Sequence, residues 1–108
     1  AMIGEGCCID GEVDYSILFS NVTVEEGAKV RYSIIMPGTT IKSGATVEYA
    51  IVAENAVIDE GAHVGESPEE IDNLENWGVT VIGEKVTIGK NAKVKAKEMI
   101  DTDVKEEK

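Results

Sequence analysis

The sequence predicts an all-β fold, a single-stranded parallel β-helix of about five to six coils, and three observations carry that expectation. VDYSILFSNVTVEEGAK, beginning at Val13, returns as VRYSIIMPGTTIKSGAT at Val30 and as VEYAIVAENAVIDEGAH at Val47, a period of 17 residues. Inside each unit the aliphatic residues step by six, six and five: Leu18, Val24, Val30, then Ile35, Ile41, Val47, then Val52, Ile58, Val64. Small and turn-forming residues recur in phase between them. A helix needs apolar residues three and four apart, and a simple amphipathic strand alternates by two without keeping this phase. Three short strands per turn satisfy the spacing, each sending one aliphatic side chain to a shared axis.

Each element follows from that geometry. Cys7 and Cys8 are adjacent, a pair that cannot bridge without backbone distortion, so Cys7 reads as a small core filler and Cys8 as a bystander. Tyr15, Tyr32 and Tyr49 fall one coil apart and are expected to stack as a register-locking ladder. Ala28, Ala45, Ala62, Ala56 and Ala92 follow an axial aliphatic by four residues, where a narrow interior admits little more than a methyl group. Gly27, Gly44 and Gly61 precede three of these alanines. Asn21, Gly38 and Asn55 align as the residue types that accept a left-handed backbone at a tight corner. The glycines lie outside any strand-to-long-helix setting, which excludes a phosphate-cradling nucleotide loop. After an interruption the rhythm resumes at Ile82, Ile88, Val94 and Ile100, placing the helix at 1–104 and a charged tail at 105–108.

Side chains alternate along a strand, so putting Leu18 and Ile35 inside puts Ile17, Phe19, Ile34, Met36 and Ile51 outside on one face. A contiguous apolar strip marks a contact, and these five are the expected docking or subunit interface. The interruption at 65–78, GESPEEIDNLENWG, replaces or projects from a coil. It is either a functional excursion or a surface loop anchored by Trp77.

Net charge is −11, with 3 basic and 16 acidic side chains in residues 1–84 (3 − 16 = −13) and 7 and 5 in residues 85–108 (7 − 5 = +2). Such a balance opposes nucleic acid and anionic membrane surfaces as partners. No apolar run is long enough to span a bilayer and no secretory signal is visible, so the expected compartment is the cytoplasm. Met2 behind Ala1 reads as a start behind a tag remnant, which implies an excised fragment. Lys29, Arg31 and Lys42 stand together in an otherwise acidic half and are the candidate binders of a regulatory anion. His63 is the one general base of the usual kind. It aligns with Lys29 and Thr46, an exposed position, and the sequence places no serine, acid or second histidine to orient it, so no catalytic residue is assigned. A single histidine and a lone cysteine pair leave a structural zinc site without ligands, and no metal site is assigned.

IGEGC, VDYSILF, VEEGAKV, YSIIMPG, AIVAENAVIDEGAHVG and ENWGVTVIG together resemble the C-terminal left-handed parallel β-helix domain of bacterial glucose-1-phosphate adenylyltransferases over nearly the whole chain. The resemblance implies a parent nucleotidyltransferase that joins ATP and glucose 1-phosphate into ADP-glucose and pyrophosphate for glycogen synthesis. It also implies left-handed coil connections, contrary to the usual crossover preference. Catalysis, Mg2+ and ATP would belong to a separate N-terminal domain, leaving this domain without a cofactor. Its implied partners are that catalytic domain, further subunits of a homotetramer and a sugar-phosphate effector. The acidic loop and the CCID opening depart from the family pattern. Two other readings share the architecture: the β-helix domain of a mannose-1-phosphate guanylyltransferase, and a free-standing hexapeptide acyltransferase with a histidine and acyl-CoA between neighbouring helices of a trimer.

Overall fold

The computed structural model describes residues 1–70 and 77–106. Aliphatic residues at hexapeptide spacing force a turn after every two- or three-residue strand. The first coil holds β1 (Met2–Ile3), β2 (Cys8–Ile9) and β3 (Glu12–Asp14), and the second β4 (Ile17–Leu18), β5 (Thr23–Val24) and β6 (Lys29–Arg31). The third holds β7 (Ile34–Ile35), β8 (Thr40–Ile41) and β9 (Thr46–Glu48), and the fourth β10 (Ala50–Val52), β11 (Val57–Ile58) and β12 (His63–Val64). β13 (Thr80–Ile82), β14 (Thr87–Ile88), β15 (Lys93–Val94) and β16 (Met99–Ile100) complete the array.

Strands pair in parallel with their counterparts one coil away, giving three sheets along one axis. The first is β1-β4-β7-β10-β13-β16, the second β2-β5-β8-β11-β14 and the third β3-β6-β9-β12-β15. Among the described residues there are therefore five full coils and one further strand, within the expected range. Each axial aliphatic stacks on its like: Leu18 on Ile35, Val24 on Ile41, Val30 on Val47. These and the predicted alanines form one buried cluster, in which each fully buried Val or Ile contributes about 1.5–3 kcal/mol.

The three corners are built differently. Between the first and second sheets, Asn21, Gly38 and Asn55 take positive φ of 59°, 77° and 56°, as expected, and between the second and third Gly27, Gly44 and Gly61 do the same. The third corner is one residue shorter and uses a residue type the sequence does not flag: Tyr15, Tyr32 and Tyr49 hold φ of 48°, 49° and 51°. A left-handed tyrosine costs roughly 1–2 kcal/mol. Its rings offset part of that cost, stacking at centroid distances of 5.1 Å (Tyr15–Tyr32) and 4.8 Å (Tyr32–Tyr49).

The shortened corner also changes the hydrogen bonding. Ser16 Oγ donates to the Asp14 carbonyl and accepts from Ser33 N, and Ser33 Oγ donates to the Arg31 carbonyl and accepts from Ala50 N. A hydroxyl thus replaces a backbone carbonyl where the turn has swung the peptide away.

Of the alternatives for residues 65–78, the structure selects projection. β10 pairs with β13, β11 with β14 and β12 with β15, so the coils on either side of the interruption stack directly. The excursion leaves at Gly65 (φ 85°), where a Cβ would collide with the Glu48 carbonyl, so glycine is required. It forms one 3₁₀ turn, Pro68–Glu70, before residues 71–76, which lie outside the described residues with part of the expected loop; the last two tail residues lie outside them as well.

Candidate functional site

Two surfaces carry the chemistry. The first is the outer face of the first sheet. Strand register places Met2, Ile17, Ile34, Ile51, Val81 and Met99 in a single row, six apolar side chains without a charge, spanning about 24 Å at ~4.8 Å per rung. Ile17 and Ile51 are each 38% exposed, Phe19 42% and Met99 79%, while Ile34 and Met36 are half-buried. The corresponding row of the second sheet is mostly threonine, Thr23, Thr40 and Thr87 with Cys8 and Val57. On the third sheet the row reads Glu12, Lys29, Thr46, His63 and Lys93. Of the apolar strip read from the sequence, Ile17, Ile34 and Ile51 form the middle of one continuous ladder, while Phe19 and Met36 follow β4 and β7 outside it. Met2, Val81 and Met99 extend it beyond the repeats, and their membership becomes visible only once register is known.

The second surface is a carboxylate node under the excursion. Glu48, at the end of β9, is 3% exposed yet charged in type. Its Oε2 accepts from Arg31 Nη2 at 3.2 Å and its Oε1 stands 3.1 Å from His63 Nε2. Arg31 is the register partner of Glu48 one coil earlier. Two partners satisfy a carboxylate that could not otherwise be buried. Beside it lies a recess of about 230 Å³ lined by Arg31, Tyr32, Glu48, Tyr49, Ser67 and Glu69. A second, of about 250 Å³, is lined by His63, Gly65, Glu66, Lys93, Val94 and Lys95. Trp77 closes the excursion over this region: its ring meets Tyr49 edge-on at 5.6 Å and its Nε1 donates to the Glu66 carbonyl at 2.7 Å, the anchoring that one of the two readings of the loop assigns to it.

The structure corrects the reading of His63. It does have an orienting acid, Glu48, which lies 15 residues away in sequence and is brought alongside by the coil geometry. The repeat column Asp14, Arg31, Glu48 signals the position, but only after the strands are aligned.

Lys29 and Arg31 share the outer face of β6, whereas Lys42 follows β8 at the corner between the second and third sheets. Arg31 is engaged by Glu48, and Lys42 Nζ lies 3.9 Å from Asp59 Oδ1. Cys7 takes the buried position of Val22 one coil earlier and packs half-buried against the core, and Cys8 is exposed, both as expected. No helix among the described residues is long and apolar enough to cross a membrane, and no group of three His, Cys, Asp or Glu there could hold a metal ion.

Comparison with known proteins matches residues 1–80 to the family described as GlmU-like, C-terminal hexapeptide. The chain belongs to this hexapeptide family. Thirty residues of this hexapeptide domain are 60% identical to the glucose-1-phosphate adenylyltransferase of Bacillus cytotoxicus, and 30 are 57% identical to those of Bacillus thuringiensis and Bacillus mycoides. Each match covers 28% of this chain and only 8% of the relative. No solved structure matches the chain.

Proposed function

We propose that this hexapeptide domain is the assembly and regulatory portion of a cytoplasmic glucose-1-phosphate adenylyltransferase, with ATP, Mg2+ and the chemistry of ADP-glucose formation held by a separate catalytic domain. The uncharged six-rung ladder on the first sheet carries the reading. An outer row of six residues without a charge, on a chain with a formal charge of −11, supports burial of that row against protein. In this reading Ile17, Phe19, Ile34, Met36 and Ile51 meet the catalytic domain or another subunit of a homotetramer. The regulatory part of the proposal rests on Lys29, Arg31 and Lys42, where a sugar-phosphate effector would have to compete with Glu48 and Asp59 for two of the three cations.

The His63–Glu48 pair favours a second reading, a hexapeptide acyltransferase, because a carboxylate 3.1 Å from an imidazole nitrogen is the arrangement a general base needs. Acyl transfer from acyl-CoA to sugar acceptors, assayed on the purified chain and on His63→Ala, separates the two. The adenylyltransferase reading expects no acyl transfer from either protein and no ADP-glucose synthesis by the isolated chain. Turnover that disappears in His63→Ala would establish the acyltransferase instead.

A further inference from the structure

The exposed apolar surface is confined to one side of the prism. Among the described residues, each exposed large apolar side chain lies in a strand of the first sheet or within two residues of one, Tyr15 and Tyr32 included at 75% and 49% exposure. Beside the row Ile17, Ile34, Ile51 and Val81, a second outer column follows the same four strands. It reads Phe19, Met36, Ala53 and Gly83, two large residues and then two small ones. At the corner one residue further on stand Ser20, Pro37, Glu54 and Glu84, two uncharged residues and then two acids.

Both gradients change at one place, between β7 and β10, where Met36 gives way to Ala53 and Pro37 to Glu54. A second copy laid face to face and turned about a two-fold axis running along the strands at that place sets β4 against β13 and β7 against β10. Phe19 then faces Gly83 and Met36 faces Ala53, so each projection meets a gap, while Ile17 faces Val81 and Ile34 faces Ile51. Glu54 and Glu84 face Pro37 and Ser20, and within these four rungs no carboxylate opposes another. With the helix axes running the same way, Phe19 would meet Tyr15 and Met36 would meet Tyr32, large against large.

We propose, resting on the reading of this row as an interface, that the first-sheet face is closed by a second copy of this chain with its helix axis antiparallel, an isologous dimer contact. Size agrees with that occupant. Six rungs at ~4.8 Å and a side of about six residues at ~3.3 Å outline a face of roughly 24 by 20 Å. Two copies together cover about 1,000 Å², enough for a specific contact that depends on concentration.

Sedimentation velocity of the intact chain from low to high micromolar concentration is expected to show a monomer converting to a dimer. Ala53→Met, which fills the gap facing Met36, is expected to weaken the dimer about tenfold. The exchange Met36→Ala with Ala53→Met is expected to restore affinity to within about threefold of the original, because projection and gap have changed places. Isotope-filtered NOEs between labelled and unlabelled copies of the unaltered chain keep the test open if a variant folds poorly. They are expected to join the Phe19 ring to Gly83 and the Met36 methyl to the Ala53 methyl. A monomer at every concentration, a dimer indifferent to Ala53→Met, an exchanged variant no tighter than Ala53→Met, or NOEs joining Phe19 to Tyr15 would each overturn the proposal. A monomeric chain would leave the catalytic domain as the cover of this face, so the adenylyltransferase reading stands or falls separately, by the acyl-transfer assay.

Discussion

Ser33 shows how a single hydroxyl completes the fold. The corner before it is one residue short because Tyr32 bends left-handed at φ 49°, and Ser33 Oγ, bonded to Arg31 O at 2.8 Å, accepts from the amide of Ala50 at 3.3 Å. Removing the hydroxyl leaves a buried N–H without an acceptor. Ser33→Ala is therefore expected to lower unfolding stability by about 1–3 kcal/mol in urea titration, more than Thr23→Ala on the second sheet's outer face. Equal losses would show that the serine column is incidental. At this scale the sequence was legible where residue type and backbone agree: Asn21, Gly38 and Asn55 announce left-handed corners by their chemistry. Tyr15, Tyr32 and Tyr49 do not, since tyrosine is not a residue type that marks a left-handed backbone, and the ring stack that accompanies it appears only in the fold.

The excursion between β12 and β13 behaves as an added element, because the coils on either side pair as though it were absent. Its attachment rests on Trp77, which meets Tyr49 edge-on and hydrogen-bonds the Glu66 carbonyl, and on Glu66 Oε1, which accepts from Ala96 N at 3.0 Å. Trp77→Ala is expected to speed limited proteolysis between residues 65 and 80 several-fold while leaving the melting temperature of the coils nearly unchanged. A parallel fall in melting temperature would make the excursion part of the core. The length of the interruption, one coil's worth of residues, could not decide between replacement and projection, because both preserve the spacing from Val64 to Ile82. The Glu48–His63 pair was hidden for a related reason: a 15-residue separation acquires meaning only when β9 and β12 are known to be neighbours.

Over the whole molecule, 39 × 28 × 23 Å, three faces of one prism have been given three chemistries: aliphatic, threonine-rich and charged. The axis was legible throughout because a narrow interior imposes one aliphatic residue per strand, and Leu18 through Ile100 keep that phase across the interruption. The outer aliphatic row was legible only in the repeats, where Ile17, Ile34 and Ile51 recur; Met2, Val81 and Met99 join it through register alone. Replacing Ile34 and Ile51 by serine removes two central, partly exposed side chains without opening the axis, so the isolated domain should keep its melting temperature within a few degrees. The most direct measurement grafts this domain, unaltered or with that double substitution, onto the catalytic portion of the Bacillus cytotoxicus relative and reads assembly by sedimentation velocity. The account predicts a stable oligomer with the unaltered face and dissociation with the substituted one, whereas identical sedimentation of the two proteins would contradict it.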